Sequence, residues 1–148
     1  MLKVGDRAPE FTLPAHDGRI ISSADLRGRK LLLWFYPAAS TPGCTVEGRG
    51  FRDHQSYYDE NQIQILGVSF DSTEANAAFA RNNGFNYPLL SDTARETALA
   101  YGACSDRKAP SPQRVSFLID EEGRIARVYD QVDPRDHPAR VLAELLDG

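Results

Sequence analysis

An uninterrupted apolar run in the first third of the chain limits the folds available to it more than any other feature. Residues 31–36 read LLLWFY, as expected for a strand that other elements cover on both faces. Pro37 ends the predicted strand, because proline has no N–H group for a sheet ladder. The run therefore predicts a central strand in a sheet with helices on both of its faces.

A helix start follows this strand after a short loop. Thr41 is predicted to be the N-cap and Pro42 to occupy the first helical position. Cys44 then falls in the first turn, near backbone N–H groups without partners and near the positive end of the helix dipole. Both effects stabilise a thiolate relative to a thiol, so we expect Cys44 to be reactive.

The remaining elements alternate between strands and helices. A Pro-punctuated strand within 5–14 and a partner strand at 20–21 flank a D-G turn, and a helical turn precedes Gly28. After the central strand we predict helices at 42–60, 74–83, from a Ser91-Asp92 cap to about 101, and at 138–146, with strands at 63–70, 87–90, 115–119 and 125–132. This order predicts one α/β domain over residues 1–148, with a mixed central sheet flanked by helices.

Composition excludes several classes of function. The formal net charge of −4 argues against a nucleic-acid-binding protein, which usually carries a basic face. The N-terminus is polar and no apolar run approaches membrane-spanning length, so we expect neither a signal peptide nor a membrane partner. The two cysteines lie far apart, which favours a reducing, cytoplasmic location over a secreted disulfide framework.

Neither a metal nor another cofactor is predicted. The three histidines do not cluster with the cysteines at the spacings that metal sites use. The chemistry of the chain is therefore expected to depend on its own side chains.

The segment FYPAASTPGCTVEGRGFRD, residues 35–53, resembles the peroxiredoxins, most closely the bacterioferritin-comigratory (peroxiredoxin Q) branch. Glu47 matches the glutamate that follows the family's cysteine by three residues, and Arg114 matches the arginine before a late strand. The resemblance extends over most of the chain and implies a thioredoxin-like fold with an N-terminal β extension. The family pattern PxxxTxxC is met by Pro37, Thr41 and Cys44.

The resemblance implies a thiol-dependent peroxidase that reduces hydrogen peroxide and organic hydroperoxides through a sulfenic acid on Cys44. Thioredoxin or another thiol would then reduce the enzyme again. Arg114 would stabilise the thiolate, and Pro37 would wall the pocket. The donors to the peroxide would be Arg114, the Thr41 hydroxyl and the N–H groups of Gly43 and Cys44.

Several of these residues also have structural interpretations. Pro37 could serve only to end its strand, and Thr41 could cap the helix as well as bind substrate. Glu47 is interpreted either as a residue that orients Arg114 or as a solvated helix residue.

The sequence departs from its branch at the position five residues after the reactive cysteine, where many members carry a second, resolving cysteine. Here that position is Arg49, which would either help to hold the thiolate or point to solvent. Cys104 leaves three alternatives open. It would resolve the Cys44 sulfenic acid within the chain, resolve it across a dimer, or be a structural thiol in an enzyme that works with one cysteine.

Two other functions compete with peroxidase activity on the same fold. A thiol–disulfide oxidoreductase would need a C-x-x-C motif, but Thr41 stands where its first cysteine would be. A non-catalytic redox sensor would use oxidation of Cys44 as a signal. The expected partners are a hydroperoxide and a thioredoxin-like or low-molecular-weight thiol, and the expected assembly is a monomer or an A-type homodimer.

Overall fold

The computed structural model describes residues 2–147, so residues 1 and 148 of the predicted domain lie outside it. These residues form seven strands and five helices, with a 3₁₀ turn at Ser23–Leu26. The elements follow the predicted order, except that two helices replace the first predicted one. The strands are β1 (Thr12–Pro14), β2 (Ile20–Ser22), β3 (Lys30–Phe35), β4 (Ile63–Ser69), β5 (Leu89–Ser91), β6 (Val115–Ile119) and β7 (Ile125–Tyr129). The helices are α1 (Pro42–Asp53), α2 (Gln55–Glu60), α3 (Thr73–Asn83), α4 (Glu96–Tyr101) and α5 (His137–Asp147).

The sheet has β3 at its centre, as the apolar run predicts. Its strand order is β5-β4-β3-β6-β7, with β3, β4 and β5 parallel and β6 and β7 antiparallel to their neighbours. β1 and β2 form a separate antiparallel pair at the N-terminal end. The sheet is therefore mixed, and the prediction of a mixed central sheet flanked by helices is confirmed.

The two faces of β3 belong to two separate hydrophobic clusters. Leu31, Leu33 and Phe35 pack with α4 and the N-terminal segment, in what we call the α4 face. Leu32 and Trp34, together with Tyr36 just beyond the strand, pack with α1, α2, α3 and α5, in what we call the α1 face. Because successive side chains of a strand point to opposite sides, the sheet separates these clusters.

The predicted helix over 42–60 is wrong in one respect, because it is broken at His54. Nδ1 of His54 lies 2.8 Å from the carbonyl oxygen of Gly50, which also accepts the His54 N–H. The backbone leaves the helical conformation at His54, with φ −102° and ψ 10°. α2 then turns so that Tyr58 is buried and donates its hydroxyl hydrogen to the Pro138 carbonyl at 2.8 Å.

Three other elements have a boundary that differs from its prediction by two residues or more. β5 is Leu89–Ser91 instead of 87–90. β7 ends at Tyr129 instead of 132, and Tyr129 is its last residue that pairs with β6, opposite Ser116. α4 begins at Glu96, later than the predicted cap. Asp92 still accepts the N–H groups of Thr97 and Ala98, at 3.2 and 2.8 Å.

Within residues 2–147 no helix combines the length and the apolar character needed to cross a bilayer.

α1 approaches its neighbours closely through two glycines. A Cβ atom added to Gly48 would lie 2.4 Å from Cζ of Phe85, and one added to Gly50 would lie 2.7 Å from Cγ of Pro138. The Gly48 carbonyl also accepts the Tyr87 hydroxyl at 2.9 Å. These glycines therefore permit the close packing that holds the helix of Cys44 against the core.

We expect Gly48→Ala to destabilise the protein even though alanine is the better helix former by about 1 kcal/mol. The added methyl group overpacks against Phe85, at a cost of roughly 1–3 kcal/mol. Urea unfolding measures the change. In a Phe85→Leu background the same substitution should cost less, because the ring is gone. A Gly48→Ala protein more stable than the wild type would contradict this packing account.

Candidate active site

The N-terminus of α1 has no side-chain cap. Thr41 occupies the N-cap position, with φ −86° and ψ 155°, but its hydroxyl does not cap the helix. It donates to the carbonyl oxygen of Ala38 at 2.7 Å. The prediction that Thr41 acts as a side-chain cap is therefore wrong, and the N–H groups of Gly43 and Cys44 have no intrahelical partner.

Cys44 lies in the first turn of α1, as predicted, and is completely buried. Arg114, directly before β6, donates from Nη2 to the Cys44 sulfur at 3.5 Å. Antiparallel pairing of β6 with β3 sets Val115 opposite Phe35, which brings Arg114 to the end of the sheet where α1 begins. A guanidinium and a helix N-terminus thus converge on one thiol.

Gly43 makes this approach of Arg114 to the helix feasible. A Cβ atom at this position would lie 2.9 Å from Nη2 of Arg114 and 3.8 Å from Cγ of Pro134. Any larger residue would therefore push the guanidinium away from Cys44. The loop before α5, through Pro134, covers the same side of the site.

Glu47 is fully buried, so its interpretation as a solvated helix residue is wrong. Oε1 accepts from Nη1 of Arg114 at 2.5 Å, while Oε2 is buried without a hydrogen-bond partner. Burial raises the pKa of Glu47 to about 7, against the opposing effect of Arg114. The carboxyl therefore orients the guanidinium that contacts Cys44.

Arg49 does not contact Cys44. Its side chain is exposed, and its Nε donates to Oδ1 of Asn83 at 2.9 Å. It therefore ties α1 to the end of α3, a role that neither sequence interpretation of Arg49 included.

Cys104 is not brought together with Cys44. Cys104 belongs to the cluster on the α4 face of the sheet, and Cys44 belongs to the cluster on the α1 face. Both thiols are free and buried. Burial also raises the pKa of Cys104, with Asp92 acting in the same direction, so its environment does not activate the thiol.

Pro37 and Thr41 are half-buried in the loop between β3 and α1. Sequence reasoning missed that this loop is tied to Asp71, whose Oδ2 accepts the N–H of Ala39 at 2.8 Å. The local pattern Asp71-Ser72-Thr73 before a helix is typical of an N-cap and gives no sign of a contact with residue 39. Among the described residues, no group of three or more His, Cys, Asp and Glu side chains could hold a metal ion.

The buried Glu47 carboxyl predicts a dependence of stability on pH. The folded protein holds this proton more tightly than the unfolded chain, so the resulting stabilisation is complete below about pH 4.5 and is lost as the pH rises through about 7. We expect Glu47→Gln to abolish this loss. Urea unfolding, followed by fluorescence of Trp34, the single tryptophan, measures it.

His137 makes an opposite contribution over part of the same range. Burial lowers its pKa to about 4, so its contribution to stability is lost as the pH falls toward that value. Because both proteins contain His137, the difference between wild type and Glu47→Gln isolates the carboxyl. A difference that stays constant between pH 4.5 and 7 would contradict the raised pKa of Glu47.

Comparison with known proteins places these features in a family. Residues 4–128 match the family model described as the AhpC/TSA family. Peroxiredoxin Bcp of Escherichia coli strain K12 is 36% identical over 95% of this chain and 94% of its own length.

Solved structures agree with this match. The crystal structure of peroxidoxin BcpB from Mycobacterium tuberculosis superposes with a TM-score of 0.91 at 32% identity, over 99% of this chain and 98% of that one. The bacterioferritin comigratory protein of Xanthomonas campestris, studied for its alkyl peroxide reduction activity, gives a TM-score of 0.86 at 30% identity, over 93% and 90%. These matches confirm the predicted thioredoxin-like peroxiredoxin fold, and the chain belongs to the AhpC/TSA family as a relative of the Bcp and peroxiredoxin Q proteins.

Proposed function

We propose that this protein is a thiol-dependent peroxidase that reduces hydrogen peroxide and organic hydroperoxides, with Cys44 as the attacking thiolate. The observation that carries the proposal is the Arg114 guanidinium, 3.5 Å from the Cys44 sulfur at the N-terminus of α1. The peroxiredoxin relatives, and the alkyl peroxide reduction described for the Xanthomonas campestris protein, support the same reaction class.

In the oxidative step the Cys44 thiolate attacks one oxygen of the peroxide. An S–O bond forms as the O–O bond breaks, and sulfur loses two electrons to become a sulfenic acid. The other oxygen leaves with the bonding pair, takes up a proton, and departs as water or an alcohol. The site must therefore hold the thiolate before attack and disperse negative charge on the leaving oxygen afterwards.

The groups around Cys44 are suited to both tasks. Arg114 and the free N–H groups of Gly43 and Cys44 are donors for the peroxide oxygens. The Thr41 hydroxyl donates its only hydrogen to the Ala38 carbonyl, so the expectation that it donates to the peroxide is wrong. Its lone pairs are left to accept the peroxide O–H. Pro37 would shield the sulfur from water, and Glu47 would hold Arg114 in place.

The second half of the cycle is assigned to an external thiol. The position five residues after Cys44 is Arg49, and Cys104 packs on the other face of the sheet. A disulfide needs Cα atoms within about 7 Å, and the two cysteines pack in different hydrophobic clusters. The external thiolate instead attacks the sulfenic sulfur, releasing its oxygen as water, and a second thiol then frees Cys44 from the mixed disulfide.

A thioredoxin-like protein or a low-molecular-weight thiol would be this reductant. The cytoplasmic location and the monomeric or A-type dimeric state stay predictions from the sequence. A thiol–disulfide oxidoreductase is disfavoured because Thr41 replaces the first cysteine of a C-x-x-C motif. A non-catalytic sensor would have less need of donors for a leaving oxygen, so Arg114 favours catalysis.

We expect Cys44→Ser to abolish peroxide consumption, because it removes the thiol that the Arg114 guanidinium contacts. The assay follows loss of hydrogen peroxide, and separately of an organic hydroperoxide, with thioredoxin or a low-molecular-weight thiol as the electron source. A Cys44→Ser protein that still turns over would contradict the proposed peroxidase function.

Cys104→Ala tests the resolving step with the same assay. Turnover should stay near the wild-type rate with at least one external thiol, since Cys104 takes no part in the cycle. If turnover is lost with every reductant while the first oxidation of Cys44 is retained, Cys104 resolves the sulfenic acid and the one-cysteine cycle is wrong.

A further inference from the structure

We propose that Asp71 is a positioning residue for the peroxidase reaction. Its carboxylate holds the loop of residues 37–41, here called the Thr41 loop, in the conformation that presents the Thr41 hydroxyl to the peroxide. This role rests on the proposed function, because it matters only if Cys44 is oxidised beside Thr41.

Two hydrogen bonds at adjacent residues hold the Thr41 loop. Oδ2 of Asp71 accepts the Ala39 N–H at 2.8 Å, and the carbonyl oxygen of Ala38 accepts the Thr41 hydroxyl hydrogen at 2.7 Å. The peptide unit between Ala38 and Ala39 is therefore bound at both of its polar atoms. Rotation of that unit would release the Thr41 hydroxyl from the orientation that leaves its lone pairs free for the substrate.

The conformation of the Thr41 loop is one that the chain does not adopt easily. Ser40, between the anchored peptide and Thr41, has φ +63°, which is uncommon for a residue other than glycine. Its side chain is exposed, so packing does not hold it there. Such backbone persists where neighbouring contacts over-determine it, and the Asp71 carboxylate supplies the contact on the N-terminal side.

Asp71 is itself fixed by a buried polar network at the ends of β4 and β5. Its N–H donates to the Ser69 hydroxyl at 3.2 Å, and Asn76 Nδ2 donates to Ser69 and to Ser91 at 3.2 and 3.1 Å. Asn76 Oδ1 also accepts the Tyr36 hydroxyl at 2.7 Å, from the residue at the start of the loop. Buried networks of this kind are rigid, so Asp71 is a firm anchor.

Helix capping does not account for the Asp71 side chain. Ser72 is the N-cap of α3, and its hydroxyl accepts the Ala75 N–H at 3.1 Å. The Asp71 carboxylate is thus left for the Thr41 loop.

The test compares Asp71→Ala with Asp25→Ala, which removes the same charge from an exposed position in the 3₁₀ turn. Stopped-flow fluorescence of Trp34 measures the rate of Cys44 oxidation by hydrogen peroxide. Alkylation by iodoacetamide measures thiolate reactivity without any need for Thr41. Asp71→Ala should lower the oxidation rate about ten-fold or more and leave alkylation within about two-fold of Asp25→Ala.

Asp71→Asn provides the conservative comparison. Its amide oxygen can accept the Ala39 N–H, so it should recover most of the lost oxidation rate. The proposal is overturned if Asp71→Ala oxidises as fast as Asp25→Ala, if alkylation falls in parallel with oxidation, or if Asp71→Asn is as slow as Asp71→Ala. Cys44→Ser separates the two hypotheses, because peroxide consumption by that variant contradicts the peroxidase function itself, whatever Asp71 does.

Discussion

The contact of Arg114 with Glu47 and Cys44 is the interaction on which the rest of the site depends. It joins α1 to the start of β6 across 70 residues of sequence, and the Glu47 carboxyl is fully buried. A buried carboxylate is tolerated only with a partner, and removing one member of such a pair typically costs about 3–5 kcal/mol. The ion pair therefore does more than place a positive charge near sulfur, because it fixes the guanidinium in one orientation.

The sheet then determines which residues can take part in the chemistry. β3 is covered on both faces, and its side chains alternate between two separate clusters. Cys44 and the Thr41 loop belong to the end of the sheet where β3, β4 and β5 finish, whereas Cys104 packs beneath α4 on the opposite face. The same burial that makes β3 a central strand therefore places the two cysteines in clusters on opposite faces of the sheet.

Local sequence signals predicted the elements that form from short-range preferences. The apolar run at 31–36 and the T-P-G-C start of α1 depend on neighbours in the chain. The strand and the position of the helix start are present as predicted, although the Thr41 hydroxyl does not cap the helix. Features that arise from distant contacts were not predictable in this way. Burial of Glu47 depends on Arg114, which lies directly before β6 and 67 residues away in the chain. The bond from Ala39 to Asp71 likewise joins two loops that only the sheet brings together.

The most direct measurement of the central claim is the location of the first oxidation product. The protein is mixed with equimolar hydrogen peroxide in the presence of a probe that reacts selectively with sulfenic acids, and the labelled peptides are identified by mass spectrometry. The proposed site predicts that the probe labels Cys44 and leaves Cys104 unlabelled. Label on Cys104, with none on Cys44, would contradict the assignment of the thiol beside Arg114 as the one that attacks the peroxide.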